Sequence, residues 1–460
     1  MEKAPPHKEN DKPKPTVTPT VSTRLQDGTL VEMVYREREH RTLFCLSKDG
    51  VVRYEPTVTA GDERLVPYSA KNNLLKHEVV LLASNAEEYG TQAELLARIR
   101  AFLHRYVDVS IEFEEIASCY VLFTWVYDGF NELPYLRLRG DAGTGKTRFL
   151  LTVGSLCYKP IFASGASTVS PLFRILDAFR GTLLVDEGDF RFSDEKTEIV
   201  KILNNGNARG FPVLRSEAVN GKEFSPRAFS VFGPKLVATR GYFEDRALES
   251  RCLTENTGGK SLRSDIPLNL TEAYREESLA LRNQLLMYRL RTMDRHSIHP
   301  DLVDRTIEPR LAQVFLPLLS VIEDDAARQT LLAAAKSFHH ELVADRGMDR
   351  EAAVLEIVKE LRESAGDSPI SVKAVALGLT ERVGDDWDRK ITAHWVGYLL
   401  RRKLGLRTEK RHGSFVVSET EGAKLESLFT KYGLGQPSGD SGDSKTEQPP
   451  VDLPDSPHQY

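Results

Sequence analysis

A glycine-rich octet at positions 140–147, GDAGTGKT, has the residue types and spacing that suit phosphate binding, and it fits G-x-x-x-x-G-K-[ST] throughout. The glycines at 143 and 145 allow backbone conformations in which consecutive N–H groups point at phosphate oxygens. A helix predicted to begin at the end of the octet adds its positive dipole end. The lysine suits the β- and γ-phosphates of ATP, and the final hydroxyl suits Mg²⁺. The predicted nucleotide-binding residues are Gly140, Ala142, Gly143, Thr144, Gly145, Lys146 and Thr147.

An apolar run that ends in two acids, TLLVDE, follows the octet by about forty residues. As a buried strand it would deliver Asp186 to the water shell of the metal. Glu187 is then placed to orient and deprotonate the attacking water. A strand that ends in acids is most often a solvated turn. The spacing after the octet, with a helix between for a βαβ crossover, favours hydrolysis, and Asp189 is interpreted as a solvated neighbour.

The elements that must position these residues follow from the hydrophobic pattern. The run PYLRLR predicts a strand leading into the octet, and alternating strands and helices as far as about 257 predict a parallel sheet. Short β-prone runs precede this region, and helical periodicity follows them. The predicted organisation is a disordered tail at 1–24, a small β-rich domain at 25–85, a helical lead-in at 86–131, an ATPase core at 132–257, a helical lid at 258–346, an α/β module at 347–434 and an acidic tail at 435–460.

Composition limits the classes of function. A chain of 460 residues is too long for one core, and 40% hydrophobic with 28% charged residues is typical of soluble globular proteins. The net charge of −5 means that any contact with nucleic acid must come from local basic patches. No apolar run approaches eighteen residues, which predicts a cytoplasmic protein without a membrane span. The scattered cysteines, which predict buried free thiols rather than zinc or disulfides, are Cys45, Cys119, Cys157 and Cys252.

Two segments after the acid pair resemble motifs of AAA+ ATPases. The run KLVATR at 235–240 resembles the sensor-1 strand, which places a polar side chain near the γ-phosphate. The usual asparagine is absent, so Thr239 is the predicted sensor and Arg240 the alternative. The run RALESR at 246–251 resembles the "ALLSRF" segment of minichromosome-maintenance-type helicases. That resemblance implies that Arg251 is an arginine finger acting in the neighbouring subunit; the alternative is a surface or helix-capping arginine.

The resemblance also implies a sensor-2 arginine in the helical lid. Arg263 and Arg282 are both available, and the sequence does not choose between them.

The segment between the acid pair and the sensor strand predicts a β-hairpin, because two β-prone runs flank Asn220-Gly221. An insertion at this place resembles the pre-sensor-1 hairpin of minichromosome-maintenance and superfamily 3 helicases. There a tip lysine touches the nucleic-acid backbone in the central pore, and Lys222 occupies that tip here. Six such lysines around a ring would grip phosphates without regard to sequence. The alternative is a surface hairpin with a solubilising lysine.

The module at 347–434 reads as a winged helix-turn-helix. Helices are predicted from Ile370 and from Ile391 through Lys403, followed by a hairpin that turns at His412-Gly413. Winged helices bind DNA or dock proteins, so both interpretations stay open. The candidate phosphate contacts are Arg401, Arg402, Lys403, Arg407, Lys410 and Arg411.

Taken together, the chain resembles the MCM-like AAA+ replicative helicases of bacterial mobile elements and prophages over about 91–434, most specifically over 133–257. The resemblance implies a multidomain α/β fold: a P-loop core with helices on both faces of a parallel sheet, a helical lid, a C-terminal winged helix and a small N-terminal β-rich domain. It also implies a hexameric homo-oligomer with single-stranded DNA in its pore, duplex DNA at the winged helix and a separate primase. The alternative is an AAA+ regulator or remodeller, in defence or transcription control, that docks through its winged helix. The acidic tail is interpreted as a solvated tether, or as a segment that docks a partner or mimics DNA.

Overall fold

The computed structural model describes residues 15–163, 169–186, 194–219, 223–243, 245–258, 263–302, 304–347, 350–365, 369–383, 391–411 and 413–434. The chain divides into two compact units between Phe338 and His339. Among the helices within these ranges, none has both the length and the apolar character that crossing a bilayer requires.

The first unit begins with short strands that form two sheets. These elements are β1 (Thr16–Thr20), β2 (Ser22–Arg24), β3 (Leu30–Arg36), β4 (Arg41–Lys48), β5 (Val51–Glu55), β6 (Val58–Ala60), β7 (Glu63–Pro67) and helix α1 (Asn73–Lys76). Strands β2 to β5 form an antiparallel meander, and β1 pairs in parallel with β7, which also pairs with β6. The meander packs in two directions: Val34 and Leu43 join one core of the unit, and Val31 and Phe44 join the other.

Two helices, α2 (Gln92–Tyr106) and α3 (Ile111–Thr124), lead into the central sheet. Helix α2 begins at a capping box in which Thr91 and Glu94 bond each other's backbone N–H groups. Ser110 caps α3, which is buried along almost its whole length. An apolar helix of this kind needs cover on every side, and here it lies in the larger core.

The central sheet alternates strands with helices, as the sequence predicts. Its elements are β8 (Tyr135–Gly140), α4 (Lys146–Leu156), β9 (Ile161–Ala163), α5 (Val169–Phe179), β10 (Leu183–Val185), α6 (Asp194–Asn205), β11 (Val213–Val219), β12 (Glu223–Phe229), β13 (Lys235–Thr239), α7 (Arg246–Glu249) and β14 (Cys252–Thr257). Strands β14, β8, β13, β10 and β9 form a parallel sheet in that order. The expectation of a parallel sheet is therefore confirmed.

Helices cover both faces of this sheet, because alternate strand residues enter different cores. Leu136 and Leu236 pack in the same core as Phe149 of α4. Their neighbours Tyr135 and Val237 pack in the core that holds the buried residues of α5 and α6. This alternation is the period-two pattern of a sheet that is buried on both faces.

The order of the strands corrects one detail of the sequence analysis. The spacing predicts that one βαβ crossover connects the octet strand to the strand of the acid pair, but β13 lies between β8 and β10 in the sheet. The connection between β8 and β10 also contains β9 as well as two helices. The hydrophobic pattern predicts which segments form strands but not which strands pair, because pairing is decided by tertiary packing.

The remaining elements are helical apart from one hairpin. The first unit continues with α8 (Glu272–Thr292), α9 (Pro309–Val321) and α10 (Asp325–Gly347), whose last turns belong to the second unit. The second unit contains α11 (Arg350–Ala365), α12 (Val372–Val383), α13 (Ala393–Tyr398), β15 (Thr408–Arg411), β16 (Ser414–Val417) and α14 (Gly422–Lys431). A π-helical turn, Leu399–Lys403, extends α13. Leu355, Val375 and Leu400 lie in the core of this unit.

A buried cluster of charges ties the N-terminal meander to the rest of the first unit. The Glu32 carboxylate on β3 accepts from Tyr158 Oη at 2.8 Å and from Arg289 Nε on α8 at 2.7 Å, and Lys159 Nζ lies 3.0 Å away. Arg289 also binds Asp128 at 2.7 Å. Removing one member of such a buried network typically costs about 3–5 kcal/mol, because the remaining charge is left without compensation. The cluster therefore fixes β3, α8 and the segment that follows α4 to one another.

A second buried charge lies at the start of β13. Lys235 is fully buried, and its Nζ donates to the carbonyl oxygens of Val231 at 2.9 Å and Gly233 at 2.6 Å. Burial lowers the pKa of Lys235 to about 7, because desolvation disfavours the charged form.

We expect the wild type to gain thermal stability relative to Lys235→Met as the pH rises from about 7 to 10.5. A lysine with a lowered pKa binds fewer protons in the folded state than in the unfolded chain, so stability increases with pH across this window. The slope is at most about 1.4 kcal/mol per pH unit. Melting temperatures of both proteins across this range measure it, with the exposed Lys71→Met as a control. Parallel curves would show that Lys235 stays charged in the folded protein.

Candidate nucleotide-binding site

The glycine-rich octet forms a loop between β8 and α4. The buried strand ends at Gly140, and α4 begins at Lys146. Gly143 and Gly145 have φ values of +81° and +87°, a region that L side chains rarely adopt. The sequence therefore predicts both the bounds of this loop and its two unusual backbone positions.

The first glycine of the octet is required by a close approach of strand β14. A Cβ atom at Gly140 would lie 2.0 Å from Thr257 Oγ1 and 2.5 Å from the Thr257 carbonyl oxygen. The Thr257 hydroxyl also lies 2.8 Å from Thr144 Oγ1, and Thr144 in turn donates to the Asp141 carbonyl at 2.9 Å. Thr257 thus braces the loop from the neighbouring strand. No local sequence motif marks Thr257 as part of this site, because the contact joins positions 113 apart.

The Lys146 side chain lies inside the loop. Its Nζ donates to the carbonyl oxygens of Gly140 at 2.6 Å and Asp141 at 2.5 Å. Only 9% of the residue is exposed. The ammonium group is therefore held by the loop that is predicted to cradle the phosphates.

The two predicted magnesium ligands are in direct contact. Thr147 Oγ1, in the first turn of α4, donates to Asp186 Oδ2 just after β10 at 2.8 Å. The Asp186 backbone N–H is held by the Ala163 carbonyl at 3.2 Å. A hydroxyl beside a carboxylate suits Mg²⁺, which binds few protein ligands and takes its other oxygens from phosphates and water. Glu187, the predicted base, lies outside the described residues, as does Asp189.

Thr239 ends β13 at the same edge of the sheet. It is 1% exposed, and its hydroxyl has no hydrogen-bond partner within the described ranges. A buried hydroxyl without a partner costs about 1–3 kcal/mol, so one in this position calls for an explanation. A ligand oxygen at this edge would supply one, and Thr239 stays the predicted sensor with Arg240 as the alternative.

Arg251 lies between α7 and β14 and is half buried. Its Nη1 donates to the side-chain oxygen of Asn204 at 2.7 Å and to the Asn204 carbonyl at 3.2 Å. Burial lowers the pKa of the guanidinium. The side chain is thus docked on α6 of its own chain, and its action in a neighbouring subunit stays a prediction.

The two sensor-2 candidates, Arg263 and Arg282, lie in different places. Arg282 is buried on α8, and its Nη1 donates to the Ser155 carbonyl at 2.8 Å. Ser155 is nine residues beyond Lys146 on α4, or about 13 Å along the helix axis. Arg282 therefore binds the end of α4 opposite to the loop. Arg263 lies beside α2, with its backbone N–H bonded to Asp108 at 2.9 Å and its Nε to Asp265 at 3.2 Å.

The predicted hairpin is formed by β11 and β12, between α6 and β13. The strands pair from Val213 opposite Phe229 to Val219 opposite Glu223. The connection, residues 220–222, lies outside the described residues, and with it Asn220-Gly221 and Lys222. At the root of the hairpin, Arg215 pairs with Glu198 of α6 and lies over the ring of Phe173.

The basic residues of the second unit differ in how their charges are used. Arg411 lies 2.7 Å from Glu409 and 2.6 Å from Glu419, so two carboxylates offset its charge. Arg401 donates to Thr408 Oγ1 at 3.1 Å and lies 5.9 Å from the centre of the Phe415 ring. The exposed positions are Arg401, Arg402, Lys403, Arg407 and Lys410. Arg411 is thus the weakest of the predicted phosphate contacts.

Comparison with known proteins gives distant structural similarities alone. No family model and no curated protein matches the chain. The chain is similar to the apo structure of the NrS-1 C-terminal region, with 11% identity, 84% of this chain and 95% of that chain covered, and a TM-score of 0.36. The chain is also similar to the JCV helicase bound to a small molecule, with 13% identity, 60% of this chain and 66% of that chain covered, and a TM-score of 0.25. For the Aeropyrum pernix ORC1 protein in complex with DNA, the identity is 15%, the coverage is 74% of this chain and 97% of that chain, and the TM-score is 0.21. Similarities at this level carry no functional conclusion.

We expect Gly140→Ala to abolish nucleotide binding, because the added methyl group would overlap Thr257. Adding Thr257→Ala removes the nearer contact but leaves the carbonyl oxygen 2.5 Å away, so the double variant should not recover. Titration with a fluorescent ATP analogue measures both, with Thr257→Ala alone as the control. Wild-type affinity in Gly140→Ala would contradict the close approach of β14 to the loop.

Proposed function

We propose that the protein is an ATP-hydrolysing motor of the AAA+ type that acts on DNA. The proposal is carried by the hydrogen bond from Thr147 Oγ1 to Asp186 Oδ2, which is 2.8 Å long. Thr147 directly follows the loop in which two glycines have left-handed backbone conformations. This arrangement joins a phosphate cradle to a pair of magnesium ligands that come from different strand–helix connections. It suits a nucleoside triphosphate bound with Mg²⁺.

The chain supplies the remaining functions of a hydrolase around this pair. The loop N–H groups and Lys146 bind the phosphates, and Thr147 and Asp186 hold the metal. Mg²⁺, when bound, neutralises the charge of the phosphate oxygens. Glu187 follows Asp186 and is assigned to orienting the attacking water. The buried Thr239 hydroxyl is assigned to contact with the γ-phosphate.

An arginine supplied by a neighbouring copy completes the site in this proposal. Arg251 docks on Asn204, a neutral residue, and so retains a charge for a phosphate. An arginine finger supplied in trans makes hydrolysis depend on assembly. We therefore propose a homo-oligomeric ring, with six subunits as the expected number.

We propose that the motor moves along DNA. The β11–β12 hairpin projects from the segment between α6 and β13, and its connection contains Lys222. We assign Lys222 to phosphates of single-stranded DNA in the pore. The second unit has two helices, α12 and α13, followed by the β15–β16 hairpin, which supports a winged helix bound to duplex DNA.

We expect Lys146→Ala to lose ATP turnover, because it removes the cation that faces the β- and γ-phosphates. Glu187→Gln should bind ATP and stall, since it keeps the magnesium ligands and loses the base. Phosphate release and nucleotide binding distinguish the two variants, with the exposed Lys71→Ala as a control. Hydrolysis near the wild-type rate in Glu187→Gln would show that the acid pair is misassigned.

We expect Lys222→Ala to unwind a forked duplex poorly while retaining basal ATPase activity. The change removes one phosphate contact per subunit, so stimulation of the ATPase by single-stranded DNA should fall as well. Strand displacement and ATPase rates at fixed salt measure this on the same preparations. The matched control is Lys201→Ala, an exposed lysine on α6 beside the root of the hairpin.

Unwinding at the wild-type speed by Lys222→Ala would contradict the assignment of the pore hairpin. A wild type that hydrolyses ATP but displaces no strand would instead favour the regulator or remodeller.

A further inference from the structure

Two arginines alternate on the strand that enters the phosphate-binding loop. Arg137 and Arg139 lie on β8, immediately before Gly140. Arg137 is 1% exposed and ranks among the largest fully buried side chains of the chain. A guanidinium in such a place needs a carboxylate, because an uncompensated buried charge is strongly destabilising.

Glu249 of helix α7 supplies that carboxylate and uses both of its oxygens. Arg137 Nη1 donates to Oε2 at 2.8 Å, and Arg137 Nη2 donates to Oε1. The Phe243 backbone N–H donates to Oε2 at 2.8 Å, and Arg139 Nη1 lies 3.7 Å from Oε1. A bidentate pair of this kind fixes orientation as well as distance. Helix α7 is therefore clamped to the strand of the phosphate-binding loop.

The same helix leads directly to Arg251, two residues after Glu249. Asp245 caps α7 by accepting from Ala247 N at 2.8 Å, and it also accepts from Asn204 Nδ2 at 2.6 Å. Asn204 in turn accepts from Arg251. The Arg251 carbonyl accepts from the backbone N–H of Tyr135, the first residue of β8, at 2.9 Å. Helix α7 and Arg251 are thus tied to β8 at Arg137 and at Tyr135.

We infer that Glu249 is a positioning residue that couples the phosphate-binding loop of one subunit to the arginine which that subunit presents to its neighbour. The inference rests on the proposed trans action of Arg251. Since β8 ends at Gly140, a displacement of the loop by nucleotide is transmitted along β8 to the Arg137–Glu249 pair and so to α7. A rigid, bidentate link carries such a displacement, whereas a solvated ion pair would absorb it.

Glu249→Gln in the full-length protein is the first test. It keeps the shape of the side chain and loses the charge, and we expect ATPase activity to fall at least about tenfold while nucleotide affinity stays within about twofold. Arg251→Ala provides the reference, with a loss of roughly a thousandfold. Glu277→Gln on α8, which also removes a carboxylate that binds an arginine through both oxygens, is the matched control and should hydrolyse ATP at the wild-type rate.

Mixing subunits identifies which subunit carries the defect. Glu249→Gln has an intact phosphate-binding loop and a misplaced finger, whereas Lys146→Ala has the reverse. A mixture therefore contains interfaces with both functional parts and should recover activity, as a mixture of Arg251→Ala with Lys146→Ala should. A structural defect in the loop of Glu249→Gln itself would give no recovery, and that result would overturn the inference.

A paired substitution distinguishes loss of the link from misfolding of the protein. Arg137→Met with Glu249→Met removes the link without leaving a buried charge, so its melting temperature should lie near that of the wild type. Its ATPase activity should remain low and should also recover on mixing. Wild-type activity in either Glu249 variant would overturn the inference. Wild-type activity in Arg251→Ala would overturn the trans mechanism itself, which separates the two failures.

Discussion

The parallel direction of the central strands is the constraint on which the rest of the structure depends. Because all five run the same way, the carboxyl ends of β8, β13 and β10 meet at one edge of the sheet. The loop follows the first, Thr239 ends the second, and Asp186 follows the third. Ligands bind at this edge in open parallel sheets. The glycine-rich loop, a buried hydroxyl and the Asp186 carboxylate thus converge from distant parts of the chain.

The N-terminal meander contributes to the stability of this sheet. Val31 and Phe44 pack in the same core as Tyr135 and Val237 of the central strands. Glu32, the residue after Val31 on β3, holds Arg289 of α8 within the buried charge cluster. Such a cluster specifies one arrangement, because any other leaves a buried charge unpaired. We interpret the meander as a brace of the central sheet.

Local chemistry was predictable from the sequence, and distant pairing was not. The octet predicted Gly143 and Gly145 at left-handed positions and α4 directly behind them, since those choices depend on neighbouring residues alone. The hairpin flanking Asn220-Gly221 followed from turn chemistry in the same way. Thr257 and Glu249 were missed, because their partners lie more than a hundred positions away. Two arginines at alternate positions in PYLRLR were the available signal, since a buried strand cannot leave such charges unpaired.

The arginines around α7 show how charge compensation separates a structural role from a functional one. Arg137 is neutralised by Glu249 within its own chain and is thereby committed to the fold. Arg251 lies two residues beyond Glu249 and forms no ion pair with any residue in the described ranges, although it is half buried. Its Nε also has no hydrogen-bond partner there. A desolvated cation that is held by neutral hydrogen-bond acceptors attracts an anion that approaches it, which supports the proposed contact of Arg251 with a nucleotide phosphate of an adjoining subunit. Glu249, the acid of this helix, is thus committed to the fold, whereas Arg251 keeps the capacity that the proposed interface contact requires.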